Sequence, residues 1–183
     1  MPKELKIITH PNPILRQKSA AIDLAELKNA ALQQLLLDME ETMTKKEGAG
    51  LAAPQVGQNI RAAVIRLEAK NIFLINPEIT RKSWAQEIAE EGCLSVLNEQ
   101  GEIIYAPVAR YKKVSCVFWD EKGNKKKISA EHLLARVIQH EIDHLNGILF
   151  IDKIVANKNP EKTPEKTMKK TLSRDISAPK APA

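Results

Sequence analysis

Cysteine and glycine are scarce in this chain, with two and seven respectively in 183 residues. Two cysteines do not make a disulfide framework, so the fold must rest on a buried core rather than on cross-links. Aromatic residues are also few, at 4%. Trp84, Trp119 and the rest therefore read as packing residues rather than as a stacking platform for nucleic acid. No apolar run approaches the ~20 residues needed to span a bilayer, no apolar leader opens the sequence, and no segment repeats. What remains is a chain whose 43% hydrophobic content can fill one core.

The sequence punctuates itself clearly in places. Asp23, with Glu26 three residues on, predicts a helix start, and Leu24, Leu27, Ala31, Leu35, Leu36, Met39 and Met43 give that helix an apolar stripe that stops before Gly48. Residues 62–67, 72–75 and 114–119 read as strands. Lys122-Gly123-Asn124 then predicts a turn into a charged partner strand over 125–128. From Lys153 onward, eight basic and three acidic residues account for the whole formal charge of +5. Pro160, Pro164, Pro179 and Pro182 interrupt this segment, so 154–183 is expected to be a solvated, partly disordered tail with at most a short helix around 165–176. The body, read as one domain over 1–153, is then neutral up to Lys153.

That domain contains His140-Glu141-Ile142-Asp143-His144. On a helix, residues four apart share a face, so both imidazoles can reach one ion while Glu141 sits at the edge of the same site. Leu133, Leu134, Val137, Ile138, Ile142 and Leu145 recur at steps of three and four, with Ser129 as an N-cap and Gly147 as a stop. Two incidental histidines on a surface helix would sit on a charged stripe. Here Leu133 and Val137 continue the histidine face into apolar surface.

A catalytic metal site takes three protein ligands, and the third lies outside the helix. One protease pattern places a histidine six residues after the second, where this chain has Phe150; another uses a later glutamate, and only Glu161 and Glu165 follow, both in the tail. Upstream, Glu91-Gly92-Cys93-Leu94-Ser95 offers a thiol beside a glycine. The residues alone leave Cys93 open between a ligand and a small buried hydrophobe, whereas Cys116, inside the apolar run to Trp119, reads as the hydrophobe. Further upstream, 48–57 (GAGLAAPQVG) reads as a compact loop permitting close backbone approach, with the Gln55 amide as a donor. It lacks the Gly-Lys-Ser/Thr ending of a phosphate loop.

GAGLAAPQVG, EGCLS and HEIDHLNG, in this order and at these separations, together with His10-Pro11-Asn12-Pro13-Ile14-Leu15-Arg16 near the start, resemble peptide deformylase over roughly residues 8–153. The resemblance implies an α+β fold in which strands surround a central helix bearing the two histidines, with a further helix near the N-terminus. It implies removal of the formyl group from N-formylmethionine on nascent polypeptides. Cys93, His140 and His144 match the metal ligands, Glu141 the general base and acid, and Gln55 and the Leu94 backbone N–H the donors to the oxyanion. Gly50 and Gly92 match positions along which the peptide lies extended, and Leu133 and Val137 match the wall of the methionine pocket. The implied cofactor is one divalent ion, Fe(II) by resemblance, though a thiolate with two imidazoles also accepts Zn(II), Ni(II) or Co(II).

One stretch departs from the family. Leu97 stands where a proline is usual, and the chain runs on through a small insertion to Pro107 and Arg110, a loop expected to border the substrate groove. The implied partner is a formylmethionyl peptide; no feature calls for DNA or a membrane. The basic tail adds transient ribosome association through RNA phosphates. A monomer in a reducing, cytoplasmic and bacterial setting completes the expectation. The rival readings are a metalloendopeptidase and a non-catalytic metal-binding module. The first lacks its third ligand; the second gives no reason for Glu141, Gln55 and Leu94.

Overall fold

A computed structural model describes residues 1–155. The tail expected over 154–183, with its short helix at 165–176, lies outside the described residues apart from its first two positions. Among the described residues are two α-helices and seven strands: α1 Ala30–Lys45, β1 Gly50–Ala52, β2 Ala62–Ile65, β3 Ile72–Lys82, β4 Gln86–Leu97, β5 Ile103–Tyr111, β6 Lys113–Trp119, β7 Lys125–Glu131 and α2 His132–Leu145. Strands β1-β2-β3-β6-β7 form an antiparallel sheet in that order, and β4 pairs with β5 as a separate hairpin. The chain is α+β.

Strand alternation explains the layering. Val64, Phe73 and Ile75 face one side of the large sheet and pack with Leu36, Met39 and Met43 of α1. Their neighbours Ile65 and Leu74, with Val114, Cys116 and Phe118, face the other side and pack with Leu134, Ala135, Ile138 and Ile142 of α2. A third cluster joins Cys93, Val96 and Val108 of the hairpin to Leu15, Leu149 and Phe150. Helix α2 thus touches both the large sheet and β5, and ten of its fourteen residues are buried. Cys116 is a fully buried core residue, as its flanking strand formers predict.

The single helix expected from Asp23 is two elements. Asp23 caps only a 3₁₀ turn, Leu24–Lys28, by accepting from the Ala25 N–H at 3.0 Å. Asn29 then stays extended and caps α1 by accepting from the Ala31 N–H at 2.8 Å. A short side-chain amide that can bond its own neighbouring backbone competes with helix continuation, and here it wins. The apolar stripe persists across the break, with Leu27, Leu36, Met39 and Met43 all buried.

Ser129 is not the cap of α2. It lies in β7 opposite Ser115, and the helix starts at His132 after Glu131, which supplies no side-chain cap. The ladder between β6 and β7 claims Ser129, and the corner is turned at His132, with φ of +50°, whose N–H donates to the Lys112 carbonyl at 2.9 Å. Gly147 does follow the helix end, in the left-handed region at φ +74°. Strands stand at each expected place, but β2 stops at Ile65, two residues short of the expected 62–67, while β3 and β7 run beyond the expected 72–75 and 125–128. Residues 48–57, read as a loop, instead form β1 and a 3₁₀ turn, Ala53–Val56. The stretch 97–110, also read as a loop, is mostly strand: only 98–102 turns, tied by Asn98, whose side chain accepts from the Gln100 and Glu102 N–H groups.

Asn29→Ala removes the cap of α1 and is expected to lower stability by about 1 kcal/mol. Urea unfolding followed by far-ultraviolet circular dichroism, against the unaltered chain, measures it.

Candidate active site

Helix α2 presents His140 and His144, one turn apart, toward β4, and Glu141, next to His140, toward Gly50 of β1. Strand β4 returns Cys93, whose Sγ lies 3.2 Å from His144 Nε2. The ligand atoms of Cys93, His140 and His144 all fall within 4.8 Å of one another. A tetrahedral ion with bonds of roughly 2.1–2.3 Å to nitrogen and sulfur holds its donors roughly 3.5 Å apart, so the cluster fits a single ion. The chemistry of the donors agrees. Burial alone would push the Cys93 thiol up, but the His144 and His140 imidazoles outweigh it and hold the thiol well below its ordinary range. A thiolate is the form that binds a metal.

What brings β4 to α2 is the Glu91 carboxylate. It lies two residues before Cys93, on the same face of the strand. Glu91 accepts from Arg110 Nε and Nη2, both at 2.9 Å, from Arg136 Nη1 at 2.6 Å, and meets His140 Nδ1 at 3.0 Å. The last contact fixes the ring and leaves Nε2 for the site. Burial would raise the Glu91 carboxyl, yet Arg110 and His140 hold it far below the usual carboxylate range. Arg110 Nη1 also bonds Asp143, whose two oxygens each accept from Lys153 Nζ at 2.7 Å. Arg136 further donates to the Val108 and Glu87 carbonyls at 2.9 and 2.7 Å.

Glu141 stands apart from this network. It is 3% exposed, and its Oε2 has no hydrogen-bond partner among the described residues. Burial, the largest effect on it, pushes its carboxyl up to about 7, so it can hold or release a proton near neutrality. Gly50 on β1 is what makes room: a Cβ there would lie 2.5 Å from Glu141 Oε1.

Gln55 lies in the 3₁₀ turn after β1, where its Oε1 accepts from the Ala52 N–H at 2.8 Å. That bond aims Nε2 at Cys93 Sγ (3.4 Å) and Ser95 Oγ (3.2 Å). Leu94 is a neighbour of Cys93 on β4, and its side chain packs toward α1 while the thiol faces α2. The β4–β5 ladder pairs Gly92 with Tyr105 and next Leu97 with Ile103, so Leu94 falls in the gap between them. A Cβ on Gly92 would sit 2.4 Å from the Tyr105 ring. Leu133 and Val137 are half-buried one turn apart on α2, and Val137 also packs against the core beneath.

The sequence-predicted residues Gln55, Cys93, His140, Glu141 and His144 therefore converge. Arg110, Arg136 and Asp143 were not singled out as functional, and Glu91 only as part of a motif. A signal for them existed: Glu91 precedes Cys93 by one strand period, and Arg136 precedes His140 by one helical turn, so both charges must point inward. Phe150, where one protease pattern needs a histidine, is buried and stacks 6.3 Å from the His140 ring.

An α+β domain with one thiolate, two imidazoles and an isolated buried carboxyl at its centre is the architecture of a metal-dependent hydrolase. Comparison with known proteins narrows the class. The family described as polypeptide deformylase matches residues 4–160. A peptide deformylase of Desulfotalea psychrophila is 41% identical over 160 residues, covering 84% of this chain and 89% of that protein. One of Caldicellulosiruptor bescii is 45% identical over 157 residues, covering 86% and 89%. Among solved structures, the Synechococcus elongatus peptide deformylase in complex with actinonin superposes with a TM-score of 0.75 at 38% identity, covering 84% of this chain and 80% of that one. The class I type b peptide deformylase of Acinetobacter baumannii bound to Met-Ala-Ser gives 0.77 at 32%, covering 84% and 100%. This chain belongs to the polypeptide deformylase family.

Glu91→Ala strands two buried guanidinium groups and frees the His140 ring. Stability is expected to fall by about 3–5 kcal/mol, and metal affinity roughly 10–100-fold. Calorimetry and competition with a chromogenic chelator read the two losses separately.

Proposed function

We propose that Cys93, His140 and His144 hold one divalent ion, and that Glu141 moves the protons as the enzyme hydrolyses the formyl amide of N-formylmethionine on a nascent polypeptide. The observation that carries this reading is the convergence of the three donors beside a buried carboxyl whose Oε2 has no hydrogen-bond partner among the described residues. An ion bound there supplies Lewis acidity, polarising a carbonyl and making water nucleophilic at neutral pH. Fe(II) is the reading the family resemblance supports, and the donor set also accepts Zn(II), Ni(II) or Co(II).

Glu141 serves as both base and acid. Its raised carboxyl accepts a proton from water as the formyl carbon is attacked, then delivers it to the departing methionyl nitrogen. The Gln55 amide, held by the Ala52 N–H, and the Leu94 N–H stabilise the negative charge that grows on the formyl oxygen. Donors of this kind contribute about 3 kcal/mol each. Leu133 and Val137 line the methionine pocket, where an unbranched side chain gains dispersion contacts. Gly50 and Gly92 leave the backbone clear for a peptide lying extended between β1 and β4. The Met-Ala-Ser bound to the Acinetobacter baumannii relative is a peptide of the product type.

The packing of α2 between the sheet and the hairpin supports a histidine helix surrounded by strands. Against a metalloendopeptidase stands Phe150, buried against His140 in place of a ligand. The thiolate fits a reducing compartment, and no described helix is long and apolar enough to cross a membrane; we read the enzyme as cytoplasmic and monomeric. The basic tail, 154–183, is assigned a transient contact with ribosomal RNA phosphates through its charge alone.

Glu141→Ala is expected to keep its metal and to release formate from formyl-Met-Ala-Ser about 10²–10⁴-fold more slowly; unchanged turnover in Fe(II) protein prepared without air, with the zinc form alongside, would refute the assignment. Gly50→Ala displaces the same carboxyl and is expected to lower kcat while metal content, read by atomic emission, stays at one per chain.

A further inference from the structure

The two groups read above as donors to the formyl oxygen belong to separate elements. Gln55 lies in the 3₁₀ turn after β1, and β1 pairs with β2. Leu94 lies in β4, which pairs with β5 in the other sheet. Among the described residues, no backbone hydrogen bond joins β1 or its following turn directly to β4. The N-terminal segment supplies the link. The Ile8 N–H donates to the Gln55 carbonyl, and two residues later the His10 N–H donates to the Ser95 carbonyl, both at 2.7 Å. Ser95 is fully buried and next to Leu94, and its hydroxyl oxygen lies 3.2 Å from Gln55 Nε2. One short stretch of chain is thus bonded to both sides of the oxyanion site.

The same stretch is anchored at its other end on α1. Thr42, fully buried, accepts from the Leu5 N–H at 2.8 Å while its own hydroxyl donates to the Asp38 carbonyl at 2.6 Å. Asp38, also buried, accepts from the Lys3 N–H at 2.9 Å. Leu5 and Ile7 pack against the core beneath α1, and Ile8 against the cluster that contains Cys93. Buried polar side chains are costly unless paired, and these two, one helical turn apart, are paired with backbone N–H groups of one segment. On the deformylase reading, on which this inference rests, the formyl oxygen meets two donors at once, and such donors act through fixed placement. We infer that residues 3–10 form a strap that sets the separation of the Gln55 amide and the Leu94 N–H, with Ile8 and His10 as its clasps and Thr42 and Asp38 as its anchors. These are positioning residues, acting through Gln55 and Leu94.

Ile8→Pro deletes the N–H that holds Gln55, whereas Ile8→Ala removes the side chain and keeps that N–H. Formate release from formyl-Met-Ala-Ser by the metal-loaded full chain is expected to be about tenfold slower in kcat for the proline variant than for the alanine one, with KM and metal content unchanged. In a Gln55→Ala background, itself about 10²–10³-fold slower, the same exchange is expected to change kcat by less than about twofold, because a single donor has no separation left to set. Thr42→Val, which cannot accept from Leu5, is expected to repeat the pattern more weakly, and Thr42→Ser to restore the parent kcat. A strap that only stabilises the fold would lower the melting temperature yet leave kcat per folded, metal-loaded chain alike in the proline and alanine variants; that result overturns the inference. So does a tenfold loss that persists beside Gln55→Ala. Should Ile8→Pro fail to fold, the two Thr42 variants in both backgrounds decide by the same criterion. A Gln55→Ala chain as fast as the parent, or a parent that releases no formate, would instead bring down the deformylase reading.

Discussion

One carboxylate organises the site. Glu91 is 3% exposed and meets two guanidinium groups and an imidazole, groups contributed by β5 and by two successive turns of α2. A charge so deeply buried is tolerable only when fully paired, and the pairing here is what clamps the hairpin to the helix. Cys93 lies two residues along the same strand. The Cys93 thiol therefore reaches the two histidines because the ion network next to it ties this part of the strand to α2.

The network also separates two kinds of acid within a few ångströms. Glu91 is surrounded by cations and stays ionised, whereas Glu141, one residue after His140, is buried with no such partner and rises to about 7. Identical chemistry in different surroundings yields a structural anchor and a carboxyl that can gain or lose a proton near neutrality. Gly50 belongs to the same division, since its missing side chain leaves the second carboxyl its space.

Much of this was legible in the amino-acid order. The histidine helix carries its chemistry in spacing and residue type, and α2 has a clear 3.6-residue apolar rhythm, whereas Cys93 and Gln55 became legible only through the resemblance of three motifs taken together. The hairpin was not legible as strand because its inward face is polar. Glu91 and Arg110 satisfy each other across space, and a pattern of apolar alternation cannot register two charges that cancel. The break at Asn29 escaped for a different reason: Leu27, Leu36, Met39 and Met43 keep one stripe across it, so periodicity reads through a turn that a single side-chain bond creates. Ser129 was misplaced because its strand partner, Ser115, decides its role.

Cys93 and Leu94 are adjacent on β4 and face opposite ways, the thiol toward α2 and the leucine toward α1. Each strand position thus has an assigned side, and inserting one residue between the Glu91 clamp and Cys93 would turn the sulfur toward the wrong core. The turn at 98–102 carries no such obligation, since it joins two strands already paired upstream. Changes in chain length are consequently permissible on one side of the cysteine and forbidden on the other. The extra residues after Leu97 sit on the permissive side.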